Sequence, residues 1–207
     1  MRYRWHLPAT VDGSAATPPE DLEAAHELTR SIHVPESIAQ ILVARGVRTF
    51  EAARDFFRPS LERLHDPLLM DDMDRAVARI RTAIERGEHV TIYGDYDVDG
   101  TTSTAMLMLF FRSIGVRAAY HIPDRFTEGY GVTVAGIDRC FLAPGGPPGL
   151  IVTIDCGITA IDAIAYANSR GADVIVCDHH EPAESMPAAY AILNPIKGTC
   201  SYPYKHL

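Results

Sequence analysis

The sequence predicts an α/β fold: a mostly parallel sheet with helices on both faces, preceded by a small helical N-terminal segment. Three observations predict it. From His89 onward, short apolar runs rich in β-branched residues alternate with stretches of helical character, the order of a sheet wound by crossover helices. Those runs are apolar at consecutive positions, as strands buried on both faces must be. Before residue 70 there are helix starts and stops but no strand-like run. The chain is therefore divided into an N-terminal lead-in with short helices, residues 1–70, and a core domain, residues 71–207.

Taken in order, residues 9–20 are rich in Pro, Ala, Thr and Gly and read as a loose lead-in. Helices are expected over 21–31, 36–45 and 49–57, with Pro35 at a start, Gly46 after an end and Thr49 as a cap. Residues 71–86 form the clearest amphipathic helix, because Met73, Val77, Ile80 and Ile84 recur at helical spacing, with Asp71, Asp72 and Asp74 at its start and Gly87 at its end. Its charged face is expected to be solvated. Strands are expected at 89–93, 118–122, 150–154, 173–177 and 190–193, and the intervening helices at 102–114, 132–141 and 159–169. Residues 143–149 form a turn-rich connector, and no internal repeat is visible.

A length of 207 residues, 47% hydrophobic and 22% charged, suits one good-sized α/β domain with an appendage. No stretch reaches about 20 uninterrupted apolar residues, and Met1-Arg2-Tyr3-Arg4-Trp5 lacks an apolar leader, so a cytoplasmic protein without membrane contact is expected. Cys140, Cys156, Cys177 and Cys200 show no Cys-x-x-Cys spacing and read as small buried thiols. The net charge of −8 by itself argues against a nucleic-acid partner. Yet several acids are clustered, and two divalent cations among them would cancel about half of that charge, so composition leaves the partner open.

The chain is organised around residues 90–104, where a strand-like run stops at Gly94 and Asp95, Asp97 and Asp99 follow on alternate positions before Gly100-Thr101-Thr102-Ser103 opens a helix. Carboxylates so close repel one another unless a cation lies among them. A calcium EF-hand is excluded because its bidentate glutamate at loop position twelve would fall on Met106. A P-loop is excluded because no lysine follows Gly100. A haloacid-dehalogenase-type phosphatase with Asp97 as nucleophile and a solvated acidic turn stay open at this point.

Two further strand ends carry metal-type ligands: Ile154-Asp155-Cys156-Gly157 and Cys177-Asp178-His179-His180-Glu181. In an open parallel sheet such ends meet along one edge. Carboxylates mixed with imidazoles suit Mn²⁺, Zn²⁺ or Fe²⁺, and two metals ~3.5–4 Å apart would serve in-line displacement at phosphorus. A metal-dependent phosphoesterase is the reading, and the phosphatase alternative weakens because its single Mg²⁺ has no use for His179 and His180.

Gly94-Asp95-Tyr96-Asp97-Val98-Asp99-Gly100, Arg125-Phe126-Thr127-Glu128-Gly129-Tyr130-Gly131, Thr153-Ile154-Asp155-Cys156-Gly157 and Asp178-His179-His180 resemble the four successive motifs of the DHH phosphoesterase superfamily, in the wording of its RecJ branch. Asn194-Pro195 and Tyr202-Pro203-Tyr204-Lys205 resemble the stretch that follows in that branch. The resemblance implies a Mn²⁺-dependent exonuclease digesting single-stranded DNA from 5′ to 3′ in repair and recombination, with Mg²⁺ as an alternative metal and single-strand-binding protein and helicase as partners. It implies that Asp97 and Asp99 each ligate one metal, that Asp155 bridges the two, that His179 completes the ligand set of the second metal and that His180 contacts the scissile phosphate. Asp95 and Asp178 would orient those ligands. From the residues alone, Arg125 reads as a grip on a substrate phosphate or as an ion-pair partner of Glu128, and Thr101, Thr102 and Ser103 as donors to a phosphate or as helix caps.

The sequence departs from the related pyrophosphatases at Tyr93, where they carry a histidine ligand, so one metal is expected to bind more weakly. His89 and His121 have no acidic partner in sequence and read as packing or surface residues. Tyr96 and Tyr130 read as packing or base-stacking side chains. The resemblance also implies a further ligand aspartate after Asp178-His179-His180, yet only Glu181 and Glu184 follow, so the chain is expected to be an N-terminal fragment with little activity alone. A DHH phosphodiesterase of dinucleotides or short oligonucleotides, and a catalytically dead replisome scaffold, are the alternatives.

Overall fold

The computed structural model describes residues 18–205, so the lead-in expected over 9–20 lies largely outside the described residues. The chain separates after Leu64 into two compact units. The first holds α1 (Pro19–Ile32), α2 (Glu36–Ala44) and α3 (Phe50–Phe57). Helix α1 has proline at its first position and Glu20 and Asp21 in its first turn, which complements the positive end of the helix dipole. Gly46, at φ 81°, turns the chain out of α2, and Thr49 caps α3 by accepting from the Ala52 N–H at 3.1 Å. Ala25, Leu28, Ala39, Leu42, Val43 and Ala53 form this unit's core.

The second unit is an all-parallel five-stranded sheet in the order β2-β1-β3-β4-β5, made of β1 (Val90–Gly94), β2 (Ala118–His121), β3 (Leu150–Ile154), β4 (Asp173–Cys177) and β5 (Ala191–Leu193). Its remaining helices are α4 (Met73–Glu85), α5 (Val98–Ser113), α6 (Val134–Leu142) and α7 (Ile161–Ser169). Side chains alternate across the pleat into two cores. Val90, Ile92, Leu150, Val152 and Ile175 pack with Ala76, Ala83 and Phe111 of α4 and α5, while Tyr93, Ile151, Val174 and Val176 pack with Ile137 and Ile164 of α6 and α7. The expected α/β sheet with helices on both faces is thus present. From β1 the chain winds outward to β2, then crosses back to β3 and continues the other way, so the direction of winding reverses between β1 and β3.

Most element starts fall within two residues of expectation, and at α5 and α4 the shift has a side-chain cause. Helix α5 begins at Val98, four residues earlier than expected, because Asp97 accepts from the Asp99 and Gly100 N–H groups at 3.0 and 3.1 Å and so caps it. Helix α4 begins at Met73, and Asp71 and Asp72, expected on its solvated end, are tied to β5 and the loop after it. Asp72, at φ 66°, accepts from the Ile192 N–H and pairs with Lys197, and Asp71 accepts from the Thr199 hydroxyl and pairs with the same ammonium. The Thr199 hydroxyl and then Lys197 hold the Asp71 carboxyl below its usual range.

At the amino ends of the strands, buried Arg79 of α4 reaches Asp173 at 2.5 Å, Glu88 at 2.6 Å and the Gly149 carbonyl at 2.9 Å, tying β1, β3 and β4 to one helix. Breaking a fully buried ion pair costs ~3–5 kcal/mol, and the partial exposure of Asp173 lowers that figure. Arg79→Met is expected to lose roughly 2–3 kcal/mol and to lower the thermal midpoint by roughly 5–10 °C, with an unchanged far-ultraviolet dichroism spectrum. A midpoint within about 2 °C of the parent would show that the pairing is not needed, on the same scale.

Candidate metal centre at the carboxyl edge of the sheet

Three strands in register end together: Gly94 pairs with Ile154, and Ile154 pairs with Cys177. The first residue beyond each is an aspartate, and each backbone N–H continues the ladder one step further. Asp95 donates to the Ile154 carbonyl at 3.2 Å, Asp155 to Cys177 at 2.9 Å and Asp178 to Leu193 at 3.0 Å. Asp95, Asp155 and Asp178 are therefore set in a row by backbone bonds.

The loops that carry them are sterically tight. A Cβ on Gly94 would stand 2.0 Å from Thr104 Oγ1, and one on Gly100 would stand 2.4 Å from the Asp95 carbonyl, so only glycines let α5 fold back against the end of β1. Asp155 has φ 62°, a left-handed conformation of the kind that concentrates at functional sites. Asp178 is almost fully buried and binds both neighbouring loops. One oxygen accepts from the Ile158 N–H at 2.9 Å, and the other accepts from the N–H groups of His179 and His180 at 2.8 and 3.1 Å and from His180 Nδ1 at 2.8 Å.

Two groups of side chains converge here, each offering ligand atoms within 4.8 Å of one another: Asp95, Asp97 and Asp155, and Asp155, His179 and His180. Asp155 is common to both, and its Oδ1 lies 3.0 Å from His179 Nε2. Burial first, and then the adjacent Asp97 carboxylate, push the Asp155 carboxyl up to about 6. The Gly100 N–H above all, with the proton on Asp155 assisting, holds Asp97 below its usual range. As pH falls, Asp155 is the member of the pair that takes up a proton first. Asp95 Oδ1 and Asp155 Oδ2 are buried without a hydrogen-bond partner among the described residues. Buried carboxylate oxygens without partners, crowded against a further carboxylate, fit a divalent cation taken up among them.

The structure brings together most of the expected site residues and separates others. Asp95, expected behind the ligands, is inside a convergent group, whereas Asp99, expected as a ligand, lies exposed on the first turn of α5 outside both groups. The Asp99 backbone N–H donates to Asp97 Oδ1 at 3.0 Å. The hydroxyls of Thr101 and Thr102 donate back to the Asp97 and Val98 carbonyls at 2.6 Å each, and Ser103 lies one residue further along α5. Tyr93 is buried, its hydroxyl donating to the Gly131 carbonyl at 3.0 Å, and burial raises its pKa. It belongs to the core and stands outside both convergent groups.

Arg125 lies over the rings of Tyr96 and Tyr130, 5.0 Å from each centroid, and donates to the Tyr130 hydroxyl. The turn bearing it is anchored by Glu128, which bonds His121 at 2.8 Å. That corrects the reading of His121 as lacking an acidic partner: the turn folds back seven residues to supply one. Sequence reasoning also assigned no role to Asn194, whose contacts depend on the pairing of β5.

Against known proteins, the model of the DHH family, N-terminal domain, matches residues 89–202, which includes every residue of both convergent groups. The single-stranded-DNA-specific exonuclease RecJ of Bacillus subtilis (strain 168) is 38% identical over 187 residues, covering 90% of this chain and 23% of the relative. A solved structure of exonuclease RecJ bound to manganese has a TM-score of 0.57 at 31% identity, covering 64% of this chain and 33% of that one. RecJ from Thermus thermophilus, in complex with Mn²⁺, has a TM-score of 0.63 at 25% identity, covering 89% of this chain and 25% of that one. The chain thus spans about a quarter of the length of the Bacillus relative. With the family model matched over more than half of its length, and with that match falling on the sheet edge where the aspartates and histidines converge, the chain belongs to the DHH family.

Proposed function

We propose that this chain is the metal-binding core of a phosphodiesterase that digests single-stranded DNA as an exonuclease. The observation that carries the reading is the convergence of three strand ends on Asp155, which places carboxylates on one side of it and imidazoles on the other. The likeness to RecJ exonucleases, and to RecJ structures holding manganese, supports the substrate and the metal. Single-strand-binding protein and helicase are the partners that fit such a substrate, and a cytoplasmic location fits such a role. Among the described residues no helix is long and apolar enough to cross a membrane.

Asp95, Asp97, Asp155 and His179 would hold Mn²⁺, with Mg²⁺ as the alternative, and Asp155 would lie between two ions. Bound there, divalent ions supply a nucleophilic water at neutral pH and neutralise charge on the phosphate. The side chains do the rest. Arg125, held against two tyrosine rings, offers its remaining guanidinium donors to non-bridging phosphate oxygens. Asp178 accepts from two backbone N–H groups and from Nδ1 of His180, so that ring carries its proton on Nδ1 and keeps a lone pair on Nε2 for the reaction centre. Asp99, exposed on the first turn of α5 two residues after Asp97, stays a ligand candidate outside the two convergent groups.

Three outcomes test this reading. Because a proton on Asp155 competes with metal, Mn²⁺ affinity measured by titration is expected to fall about tenfold per pH unit below about 6 and to level off above it. An affinity flat from pH 5 to 7 would contradict a raised Asp155 carboxyl among the ligands. The sign for the metal-free protein is the opposite of the usual carboxylate case. With its folded pKa raised, Asp155 contributes stability below the unfolded value of about 4, and that contribution is lost as pH rises through about 6. Asp155→Asn is therefore expected to stabilise the metal-free protein at pH 7 by on the order of 1 kcal/mol and to abolish the Mn²⁺-induced rise in thermal midpoint. Finally, this chain alone, supplied with Mn²⁺, is expected to release little or no mononucleotide from single-stranded DNA, whereas a longer chain carrying it over the length of its relatives is expected to release mononucleotides. Duplex should be resistant, and Asp97→Asn and His180→Gln are each expected to slow release by roughly 100-fold or more. Turnover of a dinucleotide but not of longer strands would move the assignment to a short-oligonucleotide phosphodiesterase, and failure to bind Mn²⁺ would leave a scaffold.

A further inference from the structure

Beyond the end of β5 the row of ladder-anchored aspartates has a fourth position. Leu193 pairs with Cys177, which pairs with Ile154, which pairs with Gly94, so the residue after β5 stands level with Asp95, Asp155 and Asp178. That residue is Asn194, with 0% of its surface exposed. Its Oδ1 accepts from the Ile196 and Lys197 N–H groups at 2.9 and 3.0 Å, which fixes the orientation of the amide. The Nδ2 donor is thereby left facing the backbone carbonyl of His180, at 2.9 Å. His180 is then held on three sides: by Asp178 at its N–H, by Asp178 at Nδ1 and by Asn194 at its carbonyl.

The support under Asn194 is itself stiff. Strand β5 is three residues long and sits at the sheet edge, where so short a strand would fray. Its outward-facing Ile192 is closed off by side chains in place of another strand: the N–H donates to Asp72 at 3.1 Å, and the carbonyl accepts from Lys197 Nζ at 2.7 Å. Lys197 is buried and also pairs with Asp71 and Asp72 at 3.0 and 3.2 Å. The following loop is held by Lys205, whose ammonium donates to the Pro195 and Cys200 carbonyls at 2.7 Å each. A buried amide with both ends occupied, carried on an edge strand that an ion pair pins to α4, has one neighbour belonging to the metal centre, and that neighbour is His180.

We infer that Asn194 is a positioning residue for His180, and that the Asp72–Lys197 clamp on β5 holds it in place. The assignment of a reaction to His180 rests on the phosphodiesterase reading; the geometric role does not. Asn194→Asp keeps an oxygen for the Ile196 and Lys197 N–H groups but removes the donor to the His180 carbonyl. Asn194→Ser keeps a shorter acceptor and serves if the aspartate variant fails to fold. In metal-free ¹⁵N-labelled protein, the imidazole signals missing from His180→Gln identify His180. They are expected to shift and to lose their single Nδ1–H pattern in either Asn194 variant, while those of His121 stay in place and the far-ultraviolet dichroism spectrum is that of the parent, with a lower thermal midpoint from the lost buried hydrogen bond. In a longer chain that carries either variant and spans the length of the relatives, kcat on single-stranded DNA with Mn²⁺ is expected to fall roughly tenfold with KM within about twofold. Unchanged His180 signals in a folded variant would overturn the inference, as would shifts spread equally over all histidines. His180-specific shifts, with no phosphodiester hydrolysed by the longer chain, would remove the phosphodiesterase reading and leave the positioning role standing.

Discussion

Asp97 and Asp155 bring like charges together at the carboxyl edge of the sheet, Asp155 buried and Asp97 exposed, and the surrounding backbone keeps them there. Left to themselves the two carboxylates would repel, and Asp155 loses solvation as well. They are held by bonds they do not control. Asp97 is fixed as the cap of α5, and Asp155 is fixed by its N–H to Cys177 and by a left-handed turn that must then pass through Gly157 at φ 110°. Burial, with that repulsion, raises the Asp155 carboxyl to about 6, and a divalent cation between the two is the species that would relieve it.

That arrangement depends on parallel strands ending at one level. Because the ladder runs one residue past β1, β3 and β4, small sheet displacements would move Asp95, Asp155 and Asp178 together instead of apart. The helices supply what the ladder cannot. Arg79 ties the amino ends to α4, and Asp71, Asp72 and Lys197 tie the far edge to the start of the same helix. The site is therefore gripped through α4 from both ends of the sheet, although no α4 side chain belongs to either convergent group. Such buttressing residues look like ordinary surface charges until the packing is known.

The alternation of strand and helix after His89 and the Asp95–Asp99, Asp155 and Asp178–His180 runs are local patterns, and they were legible because each depends on residues close in sequence. Strand boundaries came out within about one residue for the central strands, where a continuous apolar run has nowhere to go but the sheet interior. The start of α5 falls earlier than expected because the cap is Asp97 and the Thr101–Ser103 hydroxyl run, read as the helix opening, already lies inside the helix. The pairing of His121 with Glu128, and the use of Asp71 and Asp72 to close β5, were hidden because the partners meet only after a turn reverses or an edge strand docks.

What the sequence by itself determined is the class of fold, the three strand ends that carry ligands and the kind of chemistry that aspartate and histidine suit, since those follow from periodicity and side-chain type. What only the tertiary structure decided is which aspartates face one another. Asp95 and Asp99 are equivalent in the sequence pattern, but Asp95 is pinned to the β3 ladder beside Asp155 while Asp99 is carried off by the first turn of α5. The physical reason is that a helix rotates successive residues by about 100° whereas a ladder keeps neighbours level, and the boundary between the two falls between those aspartates.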